Sequence, residues 1–86
     1  MKIRAFRKFQ RAYQELPEDI RRKVDKQISM LAKNVHHSSL HSKKIKGKEH
    51  IWEARVDVYH RMTFEIIDET IYLRVVGNHD EVLRSP

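Results

Sequence analysis

Apolar residues follow two rhythms along this chain, and the change of rhythm divides it in half. Phe6, Phe9, Tyr13 and Leu16 recur at intervals of three and four, the spacing of one helical face. Ile20, Val24, Ile28, Leu31 and Val35 continue the pattern in a second stripe, which falls within about an 80° arc at 100° per residue. Pro17 separates the two stripes. It ends the first helix and suits the first turn of the next, where its missing N–H costs nothing. Glu18 and Asp19 then place negative charge at the positive end of the second helix dipole. The pair reads as a helical hairpin. Ahead of it, Lys2 to Phe6 alternates, with Ile3 and Ala5 on one side, as a short strand does.

After Val35 the pattern changes. His36-His37-Ser38-Ser39 reads as a polar loop, and from Ile51 the period is two. Trp52, Ala54, Val56 and Val58 alternate with Glu53, Arg55 and Asp57; Met62, Phe64 and Ile66 with Arg61, Thr63 and Glu65; Ile71, Leu73 and Val75 with Tyr72, Arg74 and Val76. These are three half-buried strands. A turn at Asp68-Glu69 pairs Phe64 with Leu73, Thr63 with Arg74 and Arg61 with Val76, keeping the apolar sides together. For the first two strands, pairing Val58 with Met62 sets Arg55 opposite Glu65; a slip of two residues would oppose Glu53 to Glu65, so the former is preferred. The expected fold is α+β. An N-terminal strand and a helical hairpin pack on one face of a small, mainly antiparallel, twisted sheet, in one domain spanning residues 1–86.

Charge adds a partner class to this outline. Eighteen Lys+Arg against twelve Asp+Glu give a formal net charge of +6. That field attracts polyanions, whether nucleic acid, an anionic membrane or an acidic protein, and it also suits an ordinary solvated basic surface. There is no cysteine, so no disulfide framework and no thiolate metal site. Met1-Lys2-Ile3-Arg4-Ala5-Phe6-Arg7 has no apolar run behind its charges, which reads as neither a signal peptide nor a membrane span. The expectation is a soluble cytoplasmic protein with no membrane partner.

The polar side of the sheet carries Arg55, Arg61, Thr63, Arg74 and Tyr72. Guanidinium groups match phosphate oxygens and a phenol ring stacks on a base, so this face suits RNA; it equally suits water and cross-strand ion pairs. Lys43, Lys44, Lys46 and Lys48 crowd a loop just before the Trp52 strand and can neutralise phosphates, or simply be solvated. His79 follows Gly77-Asn78 at the end of the last strand, where it is a candidate general acid or base; His60, beside Arg61, is a second. No histidine pair has zinc-like spacing with a third ligand, so no metal is expected. No P-loop, GxGxxG or G-x-S-x-G motif occurs. Neither a nucleotide cofactor nor a side-chain nucleophile has support.

The order of these elements resembles the RelE/ParE superfamily of toxin–antitoxin toxins. Lys44-Ile45-Lys46-Gly47 looks like that family's leucine/isoleucine-lysine-glycine step before the central sheet. Ile51-Trp52-Glu53-Ala54-Arg55-Val56 followed by His60-Arg61-Met62-Thr63-Phe64 is similar to its aromatic-Glu-x-Arg strand and arginine-led strand. Val76-Gly77-Asn78-His79-Asp80-Glu81-Val82 looks like its C-terminal segment, which carries an active-site histidine in several ribonuclease members. The resemblance covers nearly the whole chain and rests on the ordered set, since no one motif is specific. It implies a metal-independent, cofactor-free endoribonuclease that cuts mRNA on the ribosome, the RNA's own 2′-OH attacking the adjacent phosphate. Arg55 and Arg61 would stabilise the phosphate, His79 (with His60 as alternate) would move protons, and Lys43, Lys44, Lys46, Lys48, Arg74 and Tyr72 would hold RNA. It also implies an antitoxin that neutralises the protein. Two other functions are compatible with the same scaffold: a ParE-like inhibitor of DNA gyrase, and a non-catalytic RNA- or protein-binding module. One departure stands out: the tail after His79 has no aromatic residue, where some members close the site with one.

Overall fold

The computed structural model describes residues 1–86. Strand β1 (Lys2–Ala5) leads into helices α1 (Arg7–Glu15) and α2 (Glu18–Lys33). A single 3-10 turn at Ser38–Leu40 then precedes β2 (Lys43–Ile45), β3 (Lys48–Arg55), β4 (His60–Ile67), β5 (Thr70–Asn78) and a short helix α3 (His79–Arg84). The strands form one sheet in the order β1-β5-β4-β3-β2. β1 runs parallel to β5 and every other neighbour is antiparallel. The helical hairpin carries the chain across one face of the sheet, from β1 at one edge to β2 at the other, and β5 later comes back to pair in parallel with β1.

The core lies between α1/α2 and one face of the sheet. Phe9, Val24, Leu31 and Val35 from the helical half pack with Ala54, Met62, Phe64, Ile71 and Leu73 from the strands. Trp52 stacks on Phe64 with ring centroids 6.0 Å apart. Leu40 in the 3-10 turn is fully buried and plugs the end of this layer. Gln27 is the buried polar exception on α2. Its Nε2 donates to the carbonyls of Arg55 at 2.8 Å and Ser39 at 3.3 Å, so the helix, the 3-10 turn and the end of β3 are tied at one point. No helix is long and apolar enough to cross a membrane.

The structure departs from the sequence expectations in four places. First, the lysine loop is a hairpin: β2 pairs with β3, and the connection turns at Lys46-Gly47, where Gly47 supplies a φ of +82°. Second, β3 pairs with β4 in a different register. Arg55 lies opposite Arg61 and Glu53 opposite Thr63, not Arg55 opposite Glu65. Strand β3 stops at Arg55 because Asp57 competes for the backbone: its carboxylate accepts the N–H groups of Tyr59 and His60, each at 2.8 Å, and closes a loop where a longer strand was expected. Third, the turn at Asp68-Glu69 forms, with φ of 48° and 62°, and Phe64 does pair with Leu73. Beyond that pair the register shifts by one residue, so Thr63 faces Val75 and Arg61 faces Gly77. Val76 therefore joins the core and Val75 turns to the other face. The Thr63 hydroxyl accepts the Val75 N–H at 3.3 Å beside the bulge.

Fourth, the face expected to be wet is partly covered. Helix α3 folds back across it, with Asn78 capping its start through the Asp80 N–H. Gly77 lies beneath this helix; a Cβ there would meet the Val82 side chain at 3.6 Å. Val82, Val75 and Ile51 are buried, and Thr63 is completely so.

Candidate functional site

Helix α3 divides the polar face into two ends with different chemistry. At one end, Arg55 and Arg61 stand directly opposite each other on adjacent strands, and both are half-buried. Neither makes an ion pair with a carboxylate within 4 Å. Opposed cations repel across a strand pair, so this placement costs stability unless an anion comes to it. The Arg61 guanidinium is fixed through Nη1, which donates to the carbonyls of Asp57 at 2.6 Å and His60 at 2.9 Å. Its Nε and Nη2 edge remains available, the edge that meets a phosphate with two parallel hydrogen bonds.

His79 is at the same end. Residue 77 pairs with Arg61, and the His79 N–H donates to the Tyr59 carbonyl at 2.8 Å, which joins the start of α3 to the β3–β4 loop. Arg61, His79, Asn78, Asp80, Val58 and Tyr59 line one open cleft of about 300 Å³. The His79 Nδ1 lies 3.2 Å from an Asp80 carboxylate oxygen, an arrangement that leaves Nε2 free for a ligand. Arg61 and His79 thus share a cleft, and Arg55 adjoins it across the strand pair.

The loop that joins them is held by a group the sequence reading passed over. Besides its two backbone contacts, the Asp57 carboxylate meets the His60 ring at 2.9 Å and Lys23 of α2 at 3.3 Å. Burial works to raise its pKa, but the His60 ring, the Tyr59 and His60 N–H groups and Lys23 outweigh this and hold it at about 2. The Asp-x-x-His spacing was the available signal, a side chain able to cap its own turn. Alternation along β4 puts His60 on the same side as Met62 and Phe64, away from Arg61. The structure thus separates the alternate histidine from the arginine and gives it to Asp57.

The other candidate RNA-binding residues are dispersed. Tyr72 packs on Phe6, ring centroids 5.8 Å apart. Arg74 ion-pairs with Glu65, donates to the Pro86 carbonyl at 3.1 Å and covers the Phe6 ring. Both sit beyond α3, and Tyr72 is about 16 Å along β5 from the Arg61 end at the usual rise per residue. The four lysines are exposed but do not share a face. Lys43 lies 3.9 Å from Glu53, Lys44 covers Trp52 at 5.6 Å from its ring centroid, Lys46 is in the turn, and Lys48 lines a cavity with Lys8, Arg74 and Arg84. No three His, Asp or Glu side chains converge as metal ligands.

No protein-family model matches the sequence, and no curated protein sequence matches it. Solved structures do match the fold. A chain of the RelB–RelE antitoxin–toxin complex from Methanococcus jannaschii aligns with a TM-score of 0.75 at 22% identity, over 96% of this chain and 99% of that one. The YoeB/ParE toxin from Agrobacterium tumefaciens aligns with a TM-score of 0.79 at 15% identity, over 92% and 99%. YafQ from E. coli aligns with a TM-score of 0.78 at 10% identity, over 94% and 96%. The chain has the RelE-like fold over essentially its whole described length.

Proposed function

We propose that this protein is an endoribonuclease toxin of the RelE type, cleaving mRNA at the cleft between Arg61 and His79. The observation that carries the reading is the pairing of an arginine whose phosphate-binding edge is free with a histidine whose Nε2 is free, in one cleft of 300 Å³. The RelE-like fold supports it, as does the unneutralised pair Arg55 and Arg61.

In this reading Arg61 grips a non-bridging phosphate oxygen pair and Arg55 adds charge as the phosphorane forms. The RNA 2′-OH attacks the adjacent phosphorus, its proton passing to a base, while the bond to the 5′-oxygen breaks and that oxygen gains a proton. The products are a 2′,3′-cyclic phosphate and a 5′-hydroxyl. His79 Nε2 serves one of these proton transfers, and the chemistry needs no metal. Ribosome-bound mRNA is the proposed substrate, and an antitoxin protein the proposed partner, complementary to a +6 surface.

Primer extension on mRNA under translation tests the reading. Expected are discrete cuts that persist in chelator and vanish with His79→Ala or Arg61→Ala while the fold is retained. Intact mRNA with gyrase-dependent DNA breaks would replace it by gyrase inhibition. RNA binding without cleavage would make the protein a binding module.

A further inference from the structure

The two most exposed of the large hydrophobic side chains stand on the rim of this cleft. Val58 is 64% and Tyr59 69% exposed, and both line the space shared by Arg61 and His79. Apolar groups on a flexible loop would need little explanation, but this loop is fixed. The Asp57 carboxylate holds the Tyr59 and His60 N–H groups, and Lys23 and the His60 ring hold Asp57. The Tyr59 carbonyl accepts the His79 N–H. The backbone beneath the phenol ring is therefore pinned from both sides, while the ring itself projects into solvent.

An exposed ring on a rigid backbone beside unpaired arginines suits a nucleobase. The cations hold the phosphate, and the ring face meets whatever base is attached to it. Tyr72, the aromatic singled out from sequence, already has its ring against Phe6. No aromatic follows His79. Tyr59 is thus the aromatic side chain lining this cleft.

We propose that Tyr59, flanked by Val58, is a nucleobase-binding subsite that stacks on the base next to the phosphate gripped by Arg61. The inference rests on the ribonuclease reading and says where that site takes hold of a base. Charge complementarity selects RNA over an apolar protein segment as the occupant, because Arg61 lines the same cleft as the ring and Arg55 stands opposite Arg61 on the next strand, neither with a carboxylate partner.

The test is equilibrium binding of a short RNA made uncleavable by a 2′-deoxy nucleotide at the cut. It is offered intact or with one abasic nucleotide scanned along it. Tyr59→Ala is expected to weaken binding of intact RNA roughly 5- to 150-fold, the range of one lost base stack. Tyr59→Phe, which keeps the ring face, stays close to wild type. One abasic position should cost the wild type as much as Tyr59→Ala does, with no further loss when the two are combined. Equal affinity of wild type and Tyr59→Ala for intact RNA overturns the subsite alone, as do additive losses at every abasic position. A wild type that neither binds nor cuts RNA overturns the ribonuclease reading and the subsite with it.

Discussion

Replacing Asp57 by asparagine removes one charge from the loop that positions both candidate catalytic groups. In the native protein its carboxylate has a pKa of about 2, against an ordinary value of 3.8. A depressed carboxylate contributes stability in full above its unfolded pKa and loses it as pH falls through its folded pKa. The shift corresponds to about 2 kcal/mol, reduced to about 1–2 kcal/mol by solvent screening of the Lys23 and His60 contacts. Urea unfolding of wild type and Asp57→Asn across pH 2–6 reads this directly. Both proteins share every other carboxylate, so the difference between them isolates Asp57. The expected difference is about 1–2 kcal/mol at pH 6, narrowing between about pH 4 and pH 2. A difference that stays constant over that range would refute the charge-based account of the loop. Because Asp57 and His60 carbonyls hold the Arg61 guanidinium, the same variant should lower kcat for RNA cleavage more than it changes KM.

Other substitutions probe separate links of the account. Thr63→Val keeps the shape of a completely buried side chain but removes the acceptor of the Val75 N–H, and should cost about 1–3 kcal/mol in denaturant melts. Gln27→Leu strips the Arg55 and Ser39 carbonyls of their shared donor; it should destabilise by a similar amount and weaken RNA binding through the displaced end of β3. Gly47→Ala meets open space, yet its φ of +82° makes the change destabilising by about 1 kcal/mol, with RNA cleavage rates per folded molecule unchanged.

How much of this was legible in the sequence follows from which forces are local. The helical stripes of Phe9, Val24 and Leu31 and the alternation through Phe64 and Leu73 report burial on one face, and periodicity reads burial well. The two-residue turn at Asp68-Glu69 was legible because it must keep Phe64 beside Leu73. The register of β3 on β4 was not, because the rule against opposed like charges assumes that stability decides. Here Arg55 faces Arg61, an arrangement that makes sense where an anion is to be bound. The bulge at Arg74 and the cover supplied by Val82 also escaped notice. The Val82 cover needs a contact between the end of the chain and the middle of the sheet, and the bulge is one extra residue on β5; neither leaves a periodic trace. For the candidate site, His79 and Arg61 stood out as chemistry-bearing residues next to strand ends. Asp57 and Tyr59 did not, since a turn-capping carboxylate and an exposed ring look ordinary until their neighbours are known.

In the proposed mechanism Arg61 and His79 act together on one phosphodiester whose own 2′-hydroxyl is the nucleophile. Mass analysis of the cut ends, using an RNA with a single 2′-deoxy substitution on the 5′ side of the cleavage point, tests it most directly. A 2′,3′-cyclic phosphate and a 5′-hydroxyl are expected from the all-ribose strand, and no cut in the substituted one. A cut that survives the substitution, or one that leaves a 5′-phosphate, would contradict it.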